Sequence, residues 1–222
     1  MLGRKMDKNR TLKAIRPDRP ENKFLEDLQT FKKKAVALGA AMAEVISSDW
    51  VHVDERVRLK CAVPLCPYYN QCIHCPPHTP SPEVMRKVVS QYTYAVLLAL
   101  DVEPVSVFAG TKQERREAAS WSKKCLEIVG RLETYAFESG YYLALGFGQA
   151  SCKKALCGQK RCLVLDGGQC PYPLKARPSM EAVGIDVYGL VTRVGWDIYP
   201  IHRSVIAENV PRALSVGIVF IH

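Results

Sequence analysis

Eight of the nine cysteines fall into two tight groups, and both groups have spacings that can wrap a metal centre. The first reads CAVPLCPYYNQCIHCPP and holds Cys61, Cys66, Cys72 and Cys75, spaced C-x4-C-x5-C-x2-C. The second reads SCKKALCGQKRCLVLDGGQCPYP and holds Cys152, Cys157, Cys162 and Cys170, spaced C-x4-C-x4-C-x7-C. Four thiolates within so short a stretch can close on one inorganic centre, and metal binding then offsets the entropy of ordering the loop. An odd number of cysteines excludes a complete disulfide pairing, and such clustering points to metal. Structural zinc favours paired C-x2-C knuckles, and only Cys72 and Cys75 have that spacing. Iron–sulfur sites accept wider spacings, and proline often follows a ligand cysteine, as Pro67, Pro76 and Pro171 do here. Two 4Fe–4S clusters are therefore the expected cofactors, with zinc as the alternative.

Other residues around the groups have a functional and a plain reading. His74 and His78 flank Cys75 and could ligate, but no paired histidine spacing supports this, so they read as loop histidines. Tyr68 and Tyr69 could shield a cluster from water, though packing is the default. Gly158, Gly167 and Gly168 could let backbone N–H groups approach cluster sulfurs. Lys153, Lys154, Lys160, Arg161, Lys175 and Arg177 crowd the second group. They would favour a reduced cluster, present a docking face to an acidic redox partner, or simply be solvated. The ninth cysteine, Cys125, lies on an apolar helix stripe and reads as a small buried hydrophobe.

The segments VDERVRLKCAVPLCPYYNQCIHCPPHTPSPE and YYLALGFGQASC, with the later CPYPLKARPSMEAVGIDV, resemble the predicted metal-binding proteins of domain-of-unknown-function family 2284. The resemblance runs from about Ala35 to Trp196; its most specific parts are the block Ala176–Val187 and the CPP at Cys75. It implies an iron–sulfur or other metal-binding protein, mostly of anaerobic bacteria and archaea, without supplying a reaction. It also implies that Cys61, Cys66 and Cys75 recur in the first group and that Cys72 is an addition. The first site would then be three-cysteine, with an open position or another fourth ligand. Within the block, Ser179 reads as a helix cap with Glu181 in the first turn, and Arg177 as structural.

The elements that must position these loops follow from periodicity. Phe24, Leu28, Phe31, Ala35 and Leu38 recur at three- and four-residue steps, which predicts a helix over 23–38 stopped by Gly39. Residues 43–46 read as a short strand. Val51, Val53, Val57 and Leu59 alternate with polar residues, which predicts a strand leading into the first group. Ser81-Pro82-Glu83 is a helix start, with Val84, Val88 and Tyr92 as the inner stripe. Residues 94–100 read as a strand buried on both faces. Residues 112–139 read as the longest helix, with Ala118, Trp121, Cys125, Ile128, Leu132 and Tyr135 inward and Gly140 at its end. A strand over 142–147 would deliver the chain into the second group. Residues 185–194 read as helical and 214–221 as a closing strand.

This order predicts one α/β domain over 23–222, a single compact unit with a mixed sheet flanked by helices and two cysteine-rich metal-binding loops. Residues 1–22 read as a basic flexible arm. Residues 1–34 hold 11 Lys/Arg against 5 Asp/Glu, most of the net +9 of the whole chain. Such an arm suits nucleic acid, anionic lipid or an acidic partner, though solvation alone explains it. No apolar run is long enough to span a membrane, and no secretory signal is evident, so membrane insertion is not expected and the cytoplasm is. Phosphate-binding Gly-Lys loops, G-x-G-x-x-G after a strand and H-E-x-x-H are all missing, which argues against a nucleotide enzyme. Three functions fit these residues. One is cytoplasmic electron transfer through two clusters. Another is an iron–sulfur enzyme with an open iron, acting in sulfur transfer or small-molecule reduction. The last is a zinc-stapled module whose basic arm contacts nucleic acid.

Overall fold

A computed structural model describes residues 14–15, 20–111, 113–158, 161–202 and 205–222. The basic arm expected over 1–22 lies almost wholly outside the described residues. The first helix, α1 (Glu21–Ala37), starts two residues earlier than its periodicity suggests and buries Phe24, Leu28, Phe31 and Ala35. Each of the three larger side chains, Phe24, Leu28 and Phe31, stabilises the fold by about 1.5–3 kcal/mol on burial.

Four strands form one sheet: β1 (Met42–Ser47), β2 (Tyr94–Asp101), β3 (Leu145–Phe147) and β4 (Leu214–Phe220), in the order β1-β2-β4-β3. All three pairings are antiparallel. The expected parallel component of a mixed sheet is confined, among the described residues, to an isolated bridge between Gly148 and Ser179. In β2, Ala95, Leu97 and Ala99 face one layer, while Val96, Leu98 and Leu100 face the other. The period-2 geometry of a strand thus supplies two cores from one run of apolar residues. One layer holds α1 and α5 (Ala118–Glu138); the other holds α3 (Pro82–Val89) and α6 (Val187–Arg193). Two shorter helices, α2 (Glu55–Leu59) and α4 (Ser106–Ala109), lie in the connections.

Several expected elements differ. The strand predicted over 51–60 is instead a single bridge at Val53 followed by α2. The Asp54 carboxylate accepts the Arg56 N–H at 2.7 Å and starts the helix, so a local cap overrides the alternation. The first cysteine group therefore follows a helix rather than a strand. In α3, Ser81 accepts the Val84 N–H at 3.2 Å as expected, but the buried stripe is Met85 and Val89, and Val84 is exposed. The longest helix begins at Ala118, not at 112. The strand expected over 142–147 keeps only its last three residues.

Besides the predicted Cys125, Ile128 and Leu132, α5 buries Leu126, Val129, Gly130 and Ala136. It is covered on a second side by the cysteine-rich loop. A Cβ at Gly130 would sit 2.5 Å from the Leu174 carbonyl oxygen, so only glycine lets that loop lie so close.

Candidate metal centre

Both cysteine loops are excursions pinned at their bases by one segment, Pro178–Asp186. The second loop leaves the sheet after β3. Its base is closed where the Gly148 N–H donates to the Pro178 carbonyl at 2.9 Å and the Met180 N–H donates to the Gly148 carbonyl at 3.1 Å. The first loop is held by the Val53–Ile185 bridge, by Asp54 N–H to the Gly184 carbonyl at 2.8 Å, and by the Thr79 hydroxyl to the Ala182 carbonyl at 2.9 Å. Gly184 has φ +91°, and a Cβ there would stand 3.1 Å from the Asp54 carbonyl oxygen. Ser179 caps this segment, accepting the Ala182 N–H at 3.2 Å. Most of the ARPSMEAVGIDV block is therefore the seam between two loops that are far apart in sequence.

The seam brings the two groups side by side. Cys152, Cys157, Cys162 and Cys170 line one pocket with Ile73, Leu156, Leu163 and Val164, and Cys72 and His74 of the first group reach into the same pocket. The Cys72 and Cys152 sulfurs are 3.3 Å apart, and His74 Nδ1 is 3.4 Å from the Cys152 sulfur. These three ligand atoms all lie within 4.8 Å of one another. Cys75 is buried next to Cys72, and its sulfur lies 3.3 Å from the Ser151 hydroxyl oxygen. Cys61 and Cys66 are half-buried, and the Cys66 N–H donates to the Cys61 carbonyl at 2.9 Å. Leu126 of α5 packs beneath the sulfurs, and Tyr68 packs beside them.

Electrostatics separate these thiols. Cys72 is held well below the usual thiol range because the Cys152 and Cys75 thiols donate to it, helped by the His74 N–H. Cys75 and Cys152 are pushed up by donating to Cys72 and by burial. Burial also raises Cys61, with a further contribution from Cys66. His74 is lowered chiefly by burial, which keeps its imidazole neutral and fit to ligate.

The loop reading of His74 is thus corrected: it lies against Cys152, a position that no local spacing could reveal. His78 instead pairs its Nε2 with the Asn70 side-chain oxygen at 2.8 Å, away from the sulfurs. Gly158, Gly167 and Gly168 donate to the carbonyls of Lys153, Val164 and Leu163. Within the described part of the two loops, the His74 N–H reaches the Cys72 sulfur and the Tyr172 N–H reaches the Cys170 sulfur, both at 3.4 Å. Of the six cations near the second group, Arg161 pairs with Asp166, Lys175 with Glu127 and Arg177 with Glu133. Lys160 lies outside the described residues.

Thiolates and imidazole are soft or borderline donors, which suits iron–sulfur or zinc and not the hard cations calcium and magnesium. Residues 44–221, including every one of these cysteines, match the family described as predicted metal-binding protein, DUF2284. The chain belongs to that family. No curated protein and no solved structure matches it. The family description and the Cys72–His74–Cys152 group together support metal binding. No helix among the described residues is long and apolar enough to cross a membrane.

Proposed function

We propose that this member of the family is an iron–sulfur protein that carries electrons in the cytoplasm. The observation behind this reading is the number of thiols gathered in one place. Five cysteine sulfurs line the pocket at Cys152, and Cys61, Cys66 and Cys75 lie beside it. A single tetrahedral ion takes four ligands, so this donor set exceeds what one ion can use. Cys152, Cys157, Cys162 and Cys170 would hold one cluster. Cys61, Cys66 and Cys75 would hold the other, with Cys72 between them. Bound there, such clusters would supply one-electron chemistry, and two neighbouring centres would provide a path through the protein. The chain tunes that chemistry by its own means: apolar enclosure by Ile73, Leu156, Leu163 and Val164, and N–H donors on Cys72 and Cys170.

A second reading has its own support. Ligands on a tetrahedral zinc ion stand roughly 3.5–3.8 Å apart, given its bond lengths. Cys72, His74 and Cys152 are nearly that compact. A zinc staple between the two loops would use them. Anaerobic purification with metal and acid-labile sulfide analysis decides the matter. Iron–sulfur clusters predict roughly eight iron and eight sulfide per chain and a brown colour. A colourless protein with one or two zinc and no sulfide would sink the cluster reading.

A further inference from the structure

The rim of the sulfur pocket is apolar and open to water. After Cys170 the chain runs Pro171, Tyr172, Pro173 and Leu174, and all four residues are exposed. Leu163, Pro171 and Tyr172 also line the pocket itself. Leu163 is 45% exposed, Tyr172 37% and Leu174 48%. The Cys170 sulfur is half-buried behind them and accepts the Tyr172 N–H. A single exposed leucine is ordinary, but a continuous uncharged run at the mouth of a pocket marks a contact surface.

This run borders a basic surface. The Leu174 carbonyl packs against Gly130 of α5, and Lys175 pairs with Glu127 at 2.7 Å, so the loop and the helix share one face. Arg131 follows Gly130, and Lys123 stands about two turns before it on the same side of the helix. Lys123, Lys124 and Arg131 are all exposed. Among the described residues, none of these three has a carboxylate within ion-pairing distance; Glu127, the one carboxylate between them, is taken by Lys175. The loop cations Arg161, Lys175 and Arg177 are each answered locally, by Asp166, Glu127 and Glu133. Uncompensated positive charge therefore lies on α5, beside the apolar mouth.

We infer that this face docks a small acidic electron-carrier protein, with Tyr172 and Leu174 at the centre of the contact and Lys123, Lys124 and Arg131 as its basic rim. The inference rests on the electron-carrier reading above and names the partner of that same site. An apolar centre with a polar rim is the make-up of a protein–protein contact. A rim of one charge steers the encounter with a partner of the other, and a small centre keeps the complex transient. Nucleic acid is a poorer match, because Pro171 and Pro173 have no N–H to give a phosphate. A lipid surface is also a poorer match, because the apolar run is a loop and not a long amphipathic helix.

The test is calorimetric titration of the full chain, purified anaerobically, with oxidised plant-type ferredoxin, an acidic one-electron carrier. Cytochrome c, a basic carrier, is the charge-reversed control. Ferredoxin should bind one to one, with a Kd of about 10 μM or tighter at low salt. Raising the salt from about 0.02 M to about 0.3 M should weaken it by about tenfold or more. Lys123→Glu with Arg131→Glu should weaken binding by about tenfold or more. Tyr172→Ser with Leu174→Ser should weaken it about tenfold and leave the salt dependence as in the parent. All four side chains are exposed, so both double variants should keep their fold and metal content. The inference is overturned if ferredoxin binds no more tightly than about 1 mM at low salt, or if cytochrome c binds as well as ferredoxin. It is also overturned if either double variant binds like the parent, as it would were the basic arm the contact. Phosphatidylglycerol vesicles and oligothymidylate are titrated alongside, and binding to either with none to ferredoxin gives the face to lipid or nucleic acid instead. Metal and sulfide measured on the same samples separate the two claims. Iron and sulfide without ferredoxin binding removes the docking face alone. Ferredoxin binding to a colourless zinc protein removes the iron–sulfur reading and leaves the docking face standing.

Discussion

Cys125 and Cys72 have the same side chain and the same exposure, none, yet their surroundings push the two thiols in opposite directions. Cys125 sits in the layer between α5 and the sheet, where its thiol donates to the Val216 carbonyl at 3.5 Å. Burial pushes it up to about 12, so it stays a neutral thiol. Cys72 sits among other thiols and an N–H that all donate to it, and the thiolate is favoured despite burial. Burial alone therefore does not make a cysteine inert. What decides is whether the neighbouring donors outweigh desolvation: the Ser215 hydroxyl and the Gln149 N–H do not at Cys125, whereas the thiols and the His74 N–H do at Cys72. α5 lies between the sheet core and the sulfur pocket, presenting Cys125 to one and Leu126 to the other.

The sharpest way to break that contrast is to remove a sulfur from each region. Cys152→Ser should strip metal from the pocket, because Cys152 touches both Cys72 and His74. Cys125→Ala should keep full metal stoichiometry and lose only about 1 kcal/mol of stability from a small cavity. Metal analysis beside urea denaturation reads both. Equal metal loss in the two variants would mean that the core and the pocket are not separate.

A smaller effect is expected where the two regions are joined. Glu133 on α5 accepts from Arg177, with a closest approach of 2.5 Å, and from the Gly146 N–H at 2.6 Å. Both side chains are 16% exposed. Glu133→Gln would leave the guanidinium largely buried without its counter-charge, at a cost of about 3 kcal/mol. It should also loosen the return of the second cysteine loop. Thermal denaturation of the metal-free and metal-loaded protein checks this: the loss should be present in both. A loss confined to the metal-loaded form would move Glu133 from the scaffold to the site.

The smallest effect belongs to the far end of the sheet. The Arg212 guanidinium holds Asp101 below its ordinary value of 3.8. Its contribution is therefore complete above that value and is lost as pH falls through the lower folded value. Both side chains are about one-third exposed, so Asp101→Asn should cost only about 0.5–1 kcal/mol near neutral pH. The difference from the parent should shrink below about pH 3.8. Metal content should not change. A pH series of denaturation curves tests the sign.

The sequence by itself was enough for whatever depends on near neighbours. Four cysteines within one loop announce a metal centre because their linkers are short. The helix stripe of α1, the doubly buried β2, the Ser81 cap and the inward Cys125 are likewise set by local period and local hydrogen bonds. Where two local signals conflicted, the cap won: Asp54 starts a helix in a stretch whose alternation reads as strand. The tertiary structure decided everything that joins distant segments. Cys72 meets Cys152 across 80 residues, and His74 meets it across 78. Glu181, read as a first-turn acid, lines a cavity with Lys154 and Gln149. Spacing encodes how far a chain can reach, but not which side of a seam it lands on. That was settled by the backbone pairing of Pro178–Asp186 with Gly148 on one side and with Val53 and Thr79 on the other.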